Sequence, residues 1–301
     1  MIATALLLLL GAGEGASPEE RAVAYLAREV PRWRRENGCF SCHNNGDAAR
    51  ALFAARRRKL AVPPEALADT IAWLSRPVAW DDNQGDPGFS DKRLARVQFS
   101  SALADGLAAG LLRDRRVLGA AAEALLPHQA QDGSWPADTT SPLGSPATYG
   151  TLLATYTARR ALEEAGAARF RQAISRANAW LARAKVASTM DAAVMLMALG
   201  ERRAPECLPL VVRGQTGEGG WGPYPGTPAE PFDTALVLLA IRNRPALRAQ
   251  AVRGRAWLVG AQLPSGGWQE TTRPPGGQSY AQHVSTTGWA ALALLETHGL
   301  K

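Results

Sequence analysis

Residues 131–135 read Gln-Asp-Gly-Ser-Trp, residues 217–221 read Gly-Glu-Gly-Gly-Trp, and residues 262–268 read Gln-Leu-Pro-Ser-Gly-Gly-Trp. Glycine in these turns permits the positive φ of a tight reversal, and the indole that follows offers a large flat surface for packing on a neighbour. One turn chemistry written three times marks an internal repeat, and a repeat decides the architecture. Working outward, the fragment Ala24-Tyr25-Leu26 returns as Ala72-Trp73-Leu74, Ala124-Leu125-Leu126, Ala179-Trp180-Leu181 and Ala256-Trp257-Leu258. Each lies near the end of a segment with apolar residues at helical spacing, such as Phe170, Ile174, Ala177, Trp180 and Leu181.

Beyond each turn, after a loop rich in Pro, Gly, Ser and Thr, comes a second helix that is apolar nearly all round: 149–162, 191–199, 233–241 and 286–295. A helix apolar on every side is one shielded by other helices. The spacing predicts six pairs, an outer amphipathic helix followed by an inner one: 18–36 with 46–59, 64–76 with 91–112, 115–130 with 147–163, 168–185 with 189–200, 204–213 with 231–242, and 247–262 with 283–298. The terminal pairs lack the polar outer face that an open array needs, so the expectation is an all-α closed double ring of about six hairpins.

On these turns, and on inner segments such as FDTALVLLA and STTGWAALALL, the chain resembles the QW-type repeats of the squalene–hopene cyclase and protein prenyltransferase α/α-toroid group. The resemblance covers essentially the whole chain after residue 16 and is clearest from about residue 115 onward. It implies an α/α toroid with an isoprenoid-type enzyme as one functional reading, and a lipid-like ligand in the central cavity. The cyclases' acidic DxDD cluster is reduced here to Asp233 in Pro231-Phe232-Asp233-Thr234-Ala235, and alkene protonation needs an acid tuned by its neighbours. Against the zinc site of the prenyltransferases, Asp233 and His283 match by position but Ala235 replaces the thiolate.

The composition supports one large globular domain, 17–301, with nearly half of the residues apolar. Its net charge of +7 is carried by arginines scattered over helix faces, with only Arg56-Arg57-Arg58-Lys59 making a run, so no nucleic-acid partner is expected. The start, MIATALLLLLGAGEGAS, has a short apolar stretch followed by small residues, and 1–16 is read as a signal peptide directing export to the periplasm or beyond the cell.

Where the repeat calls for its first turn, the chain has Asn37-Gly38-Cys39-Phe40-Ser41-Cys42-His43 instead. A C-x-x-C-H run is the attachment pattern of c-type haem: two thiols form thioethers to one porphyrin while the adjacent imidazole reaches the iron. Zinc held by Cys39, Cys42 and His43 plus a further ligand is the alternative, and a purely structural turn the third reading. If the ring closes, the last inner helix lies beside the first, which makes His283 the candidate for a distal iron ligand. The expected function is therefore that of an exported toroid with one covalent haem c, acting in electron transfer with a redox partner protein or in ligand binding. The alternative is a cyclase-like or prenyltransferase-like enzyme in which Asp233 is the catalytic candidate.

Overall fold

The computed structural model describes residues 15–83, 92–137, 149–271 and 279–300. The expected signal peptide therefore lies almost wholly outside the described residues. Among the described residues run twelve α-helices: α1 (Pro18–Asn37), α2 (Ala49–Arg57), α3 (Glu65–Leu74), α4 (Lys92–Ala108), α5 (Arg116–Leu125), α6 (Gly150–Gly166), α7 (Arg171–Arg183), α8 (Thr189–Leu199), α9 (Ala204–Gly214), α10 (Pro231–Ile241), α11 (Arg248–Gly260) and α12 (Tyr280–Glu296). A π-helical turn, Cys42–Ala48, leads into α2. No strand is present among the described residues, and the six predicted pairs match these helices to within a few residues.

The even-numbered helices form the inner ring. Each packs on the next, α2 on α4, α4 on α6, α6 on α8, α8 on α10 and α10 on α12, and α12 then packs on α2 and on the π-helical turn, which closes the circle. The odd-numbered helices lie outside, each against one or two inner helices: α5 on α4 and α6, α9 on α8, α11 on α10 and α12. Inner α10 and α12 bury nearly every side chain, whereas outer α7 and α11 bury only one stripe each. The chain is an α/α toroid, as the repeat implied.

A single device, used three times, joins the hairpins. In each of the three turns the Trp is fully buried, and its indole N–H donates to the carbonyl ten residues earlier: Trp135 to Leu125 at 2.9 Å, Trp221 to Val211 at 2.7 Å, Trp268 to Leu258 at 2.8 Å. The backbone N–H of the same Trp donates to a threonine hydroxyl on the inner helix that follows, Thr155, Thr234 or Thr287. A glutamine six residues before the Trp reaches across to the next outer helix: Gln129 donates to the Ala173 carbonyl, Gln215 to that of Gln250, and Gln262 to that of Pro18. An arginine from that next helix, Arg176, Arg253 or Arg21, donates back to the glutamine. Gln131 lies within the first of these turns, but the side chain that staples is Gln129, and Gln215 precedes residues 217–221 of the second.

The third use of the device is the ring closure, since Pro18 and Arg21 belong to α1. Beside it Glu19, buried at the start of α1, accepts from Arg255 of α11 and faces His298. The Ser17–Glu20 capping box fixes the start of α1 where the last turn meets it.

Candidate functional site at the first turn of the ring

After α1 the Trp staple is absent, and the stretch Cys39–Asp47 takes its place. Gly38 ends α1 in the left-handed conformation, φ +71°, and Ser41 then caps the π-helical turn by accepting from the Asn44 N–H. The polar residues after His43 do the work of the missing indole. Asn44 donates to the Glu29 carbonyl at 2.7 Å, and Asn45 donates to the Thr70 hydroxyl at 2.8 Å and more distantly to the Val30 carbonyl. Both side chains are fully buried and tie the turn to α1 and α3.

Asp47, also buried, accepts from Gln98 of α4 at 2.7 Å and from Ser285 of α12 at 2.6 Å, so one carboxylate links three inner segments. Burial pushes its pKa up, against the opposing pull of Arg50 and of its hydrogen bonds. One helical turn on, Arg50 donates to Asp105 at 2.7 Å and lies 4.6 Å over the Trp289 ring, and Asp105 also receives Arg160. Burial would raise the Asp105 pKa, but Arg160 and Arg50 hold it down to about 2. Tyr149 and Phe232 pack on Trp289, so the middle of the ring joins an aromatic cluster to this line of buried charge.

With the asparagines and Asp47 spent on the scaffold, Cys39, Cys42 and His43 remain. Neither cysteine is in a disulfide among the described residues. Cys39 is buried and accepts from the Trp33 indole at 3.3 Å, while Cys42 is half-buried, its sulfur 3.8 Å from His43 Nδ1. The His43 ring is buried edge-on against Trp33 and Tyr280, which stack on each other, and Phe40 stacks on Trp73 at the other flank. His43 Nε2 finds no hydrogen-bond partner among the described residues, and burial holds the imidazole pKa down to about 3, which keeps the ring neutral. A neutral imidazole with a bare nitrogen is the form that binds a metal.

No group of three or more His, Cys, Asp or Glu side chains among the described residues is arranged to hold a metal ion, so Cys39, Cys42 and His43 do not converge on one point. His283 sits on α12 with its Nδ1 3.1 Å from Glu270 and its ring edge-on to Tyr25, while Tyr280, one turn before it, is the α12 residue that meets the His43 ring. Asp233 is fully buried at the head of α10, beside the Thr234 that serves the Trp221 staple. The remaining cysteine, Cys207, is a buried apolar residue of α9. Asp47 and the Arg50–Asp105–Arg160 line were not found from sequence. Their partners stand about fifty residues apart or more, and no local pattern announces them.

No family model matches the chain, and no curated protein matches it. Solved structures do. The type II terpene cyclase MstE from Scytonema, in complex with geranylgeranyl dihydroxybenzoate, superposes with a TM-score of 0.59 at 13% identity, over 94% of this chain and 98% of that one. A structure described as a glycosidase gives 0.60 at 13% identity over the same shares, and a protein from Actinoplanes gives 0.55 at 18% identity over 93% and 98%. The fold is that of these proteins. At such identities the likeness is one of architecture, and function rests on the side chains.

Proposed function

We propose that this toroid carries one covalent c-type haem on Cys39 and Cys42, with His43 as the axial ligand, and serves in electron transfer outside the cytoplasm. The observation that carries the reading is the buried His43 ring, whose Nε2 has no hydrogen-bond partner among the described residues, next to two cysteines that form no disulfide. The donor set suits haem better than zinc, and Trp33 and Tyr280, which bury His43 Nε2, would have to turn aside to admit a porphyrin. Zinc needs its ligands to converge on a single centre, and these three do not. Thioether bonds place two sulfurs at separate points on a porphyrin edge, and only the imidazole must meet the iron.

When bound, the haem supplies one-electron chemistry. The chain's own part is to hold and shield it. Asn44 and Asn45 anchor the turn that presents the imidazole, and the Trp33–Tyr280 stack covers the ring on the solvent side. His283 is the candidate second ligand. Its Nδ1 faces Glu270, the kind of carboxylate contact that orients a ligating histidine and leaves Nε2 for the metal. The redox partner would approach the half-exposed edge formed by Trp33, Phe40 and Tyr280.

The test is the visible spectrum and intact mass of the protein made in cells that possess the haem-attachment machinery. A Soret band and a mass gain of one haem, both lost in the Cys39→Ser/Cys42→Ser protein, are the expected result. A colourless protein carrying stoichiometric zinc would replace the haem with a metal site.

A second reading, an isoprenoid-cyclising enzyme, is favoured by one specific observation: Asp47, with its burial-raised pKa, stands beside the Trp289 cluster in the ring's centre. The MstE structure was solved with a geranylgeranyl substrate. A lipid-like ligand in this chain would have to displace Tyr149, Phe232 and Trp289, none more than 3% exposed. Turnover of a polyprenyl substrate that disappears in Asp47→Asn and survives loss of both cysteines would establish this reading in place of the first.

A further inference from the structure

Exposed cations stand at both ends of the ring, but at the turn end Arg35, Arg76 and Arg213 are interspersed with the exposed acids Asp82, Asp132 and Glu218, whereas the other end carries a net excess of positive charge. All inner-to-outer connections lie at the end opposite the tryptophan turns, and cross-contacts such as Arg57 of α2 to Glu296 of α12, and Arg244 to Glu201, hold them together there. Arg56 in the last turn of α2 and Lys59 after it, Arg113 before α5, Arg171 at the start of α7, Arg202 between α8 and α9, and Arg248 at the start of α11 are all exposed and make no ion pair among the described residues. Most acids at this end are already held: Asp114 by Arg116, Glu164 by Arg160, Glu201 by Arg244 and Glu296 by Arg57. Glu20, Glu65 and, one turn past it, Asp69 are the exposed acids that remain among the described residues, fewer than the six unpaired cations.

We propose that this end of the toroid docks on the surface of an anionic phospholipid bilayer. The geometry selects the occupant. Unpaired cations contributed by five separate connections are spread around a ring, and a planar field of negative charge meets all of them at once, whereas a linear polyanion meets those on one side only. Each Lys or Arg brought to such a surface adds roughly a fivefold gain in binding. The large exposed apolar side chains Val78, Leu126, Val212 and Tyr224 all belong to the turn end. Docking through the basic end is therefore electrostatic, without insertion, and reversed by salt. It leaves the turn end, with Cys39, Cys42 and His43, facing away from the bilayer, and it holds whether or not those residues carry haem.

Co-sedimentation of the full chain with phosphatidylcholine vesicles, with and without phosphatidylglycerol, tests the proposal. At low salt the protein should pellet only with the phosphatidylglycerol vesicles, and raising the salt to about 0.5 M should release it. The Arg56→Glu/Lys59→Glu/Arg113→Glu/Arg202→Glu protein should bind at least about tenfold more weakly. Arg183→Glu/Lys185→Glu, at the turn end, should bind like the parent. Equal binding to both vesicles, unchanged binding of the fourfold variant, or a preference for duplex DNA with no vesicle binding would each overturn the proposal. If the fourfold variant fails to fold, the salt titration of the parent protein decides alone: salt-insensitive binding, or none, refutes it.

Discussion

The third, fifth and sixth hairpins are joined by the same four-part staple, whereas the first is joined by buried polar side chains. At Trp135, Trp221 and Trp268 one indole fills the gap between hairpins and satisfies a helix carbonyl. At the first turn Asn44 and Asn45 satisfy the carbonyls of α1, and Asp47, Gln98 and Ser285 bridge the inner helices. A staple built from an indole has no room for anything but itself. The first turn holds the scaffold with small amides and one carboxylate, so its cysteines and histidine are not what ties it to the ring.

If the first hairpin depends on buried charge and the others on indoles, different substitutions should break them. Asp105→Ala strands the Arg50 and Arg160 guanidiniums, and losing the shared partner of buried cations costs about 5 kcal/mol. The effect has a defined pH signature. The Asp105 pKa is depressed to about 2, so its contribution is complete above the ordinary carboxylate range near pH 4 and is lost as the pH falls through about 2. Chemical denaturation from pH 7 to pH 2 should show this acid-dependent loss in the parent protein and a flatter profile in the variant.

Trp268→Ala removes a fully buried indole and leaves the Leu258 carbonyl unpaired, for a loss of about 4 kcal/mol. Trp135→Ala and Trp221→Ala should cost about the same, because their surroundings repeat. Trp33→Ala, at a half-buried ring in the first hairpin, should cost visibly less. Equal losses at Trp33 and Trp268 in urea unfolding would erase the distinction between the two kinds of junction.

The staples are legible in the sequence because glycine and tryptophan have few alternative uses in such a turn, whereas the hairpin count rests on helical spacing and the closure on terminal pairs that lack a polar outer face. Their glutamines were less legible. Gln131 sits inside the quoted turn while Gln129 does the stapling, and only the constant separation of six residues from the Trp, seen across Gln129, Gln215 and Gln262, tells them apart. The Cys-x-x-Cys-His run lies between α1 and α2. Asn44, Asn45 and Asp47 look like an ordinary polar loop in a sequence, because their burial is created by α3, α4 and α12, which arrive from distant parts of the chain. The bare Nε2 of His43 is likewise a product of packing by Trp33 and Tyr280 and has no signature in the residues next to it.

Ring closure can be challenged at a single glycine. Gly266 adopts φ +96°, and a Cβ there would come within 2.4 Å of the Arg21 carbonyl oxygen on α1, a backbone atom that can move only with its helix. Gly133 has φ +100° and the same 2.4 Å approach to the Arg176 carbonyl inside the ring. Gly266→Ala and Gly133→Ala should therefore lose similar stability, about 2 kcal/mol each. In an open solenoid the last turn has no neighbour, and Gly266→Ala would lose only the cost of its backbone conformation.

The smallest effect tests the same seam from the side-chain direction. Gln262 donates to the Gly266 carbonyl in its own turn and to the Pro18 carbonyl of α1, each at 2.9 Å, and accepts from Arg21. Gln215 makes the same three contacts with Gly219, Gln250 and Arg253. Each glutamine is half-buried, so truncation to alanine should cost about 1 kcal/mol at either position. The two differ in what they hold: Gln215 joins neighbours in sequence, whereas Gln262 joins the last turn to residues some 240 positions away. Losing a contact across that separation should loosen the N-terminal helix ahead of the rest. Amide exchange in Gln262→Ala should accordingly quicken in 18–26 before the global transition, while Gln215→Ala leaves those amides as protected as in the parent protein.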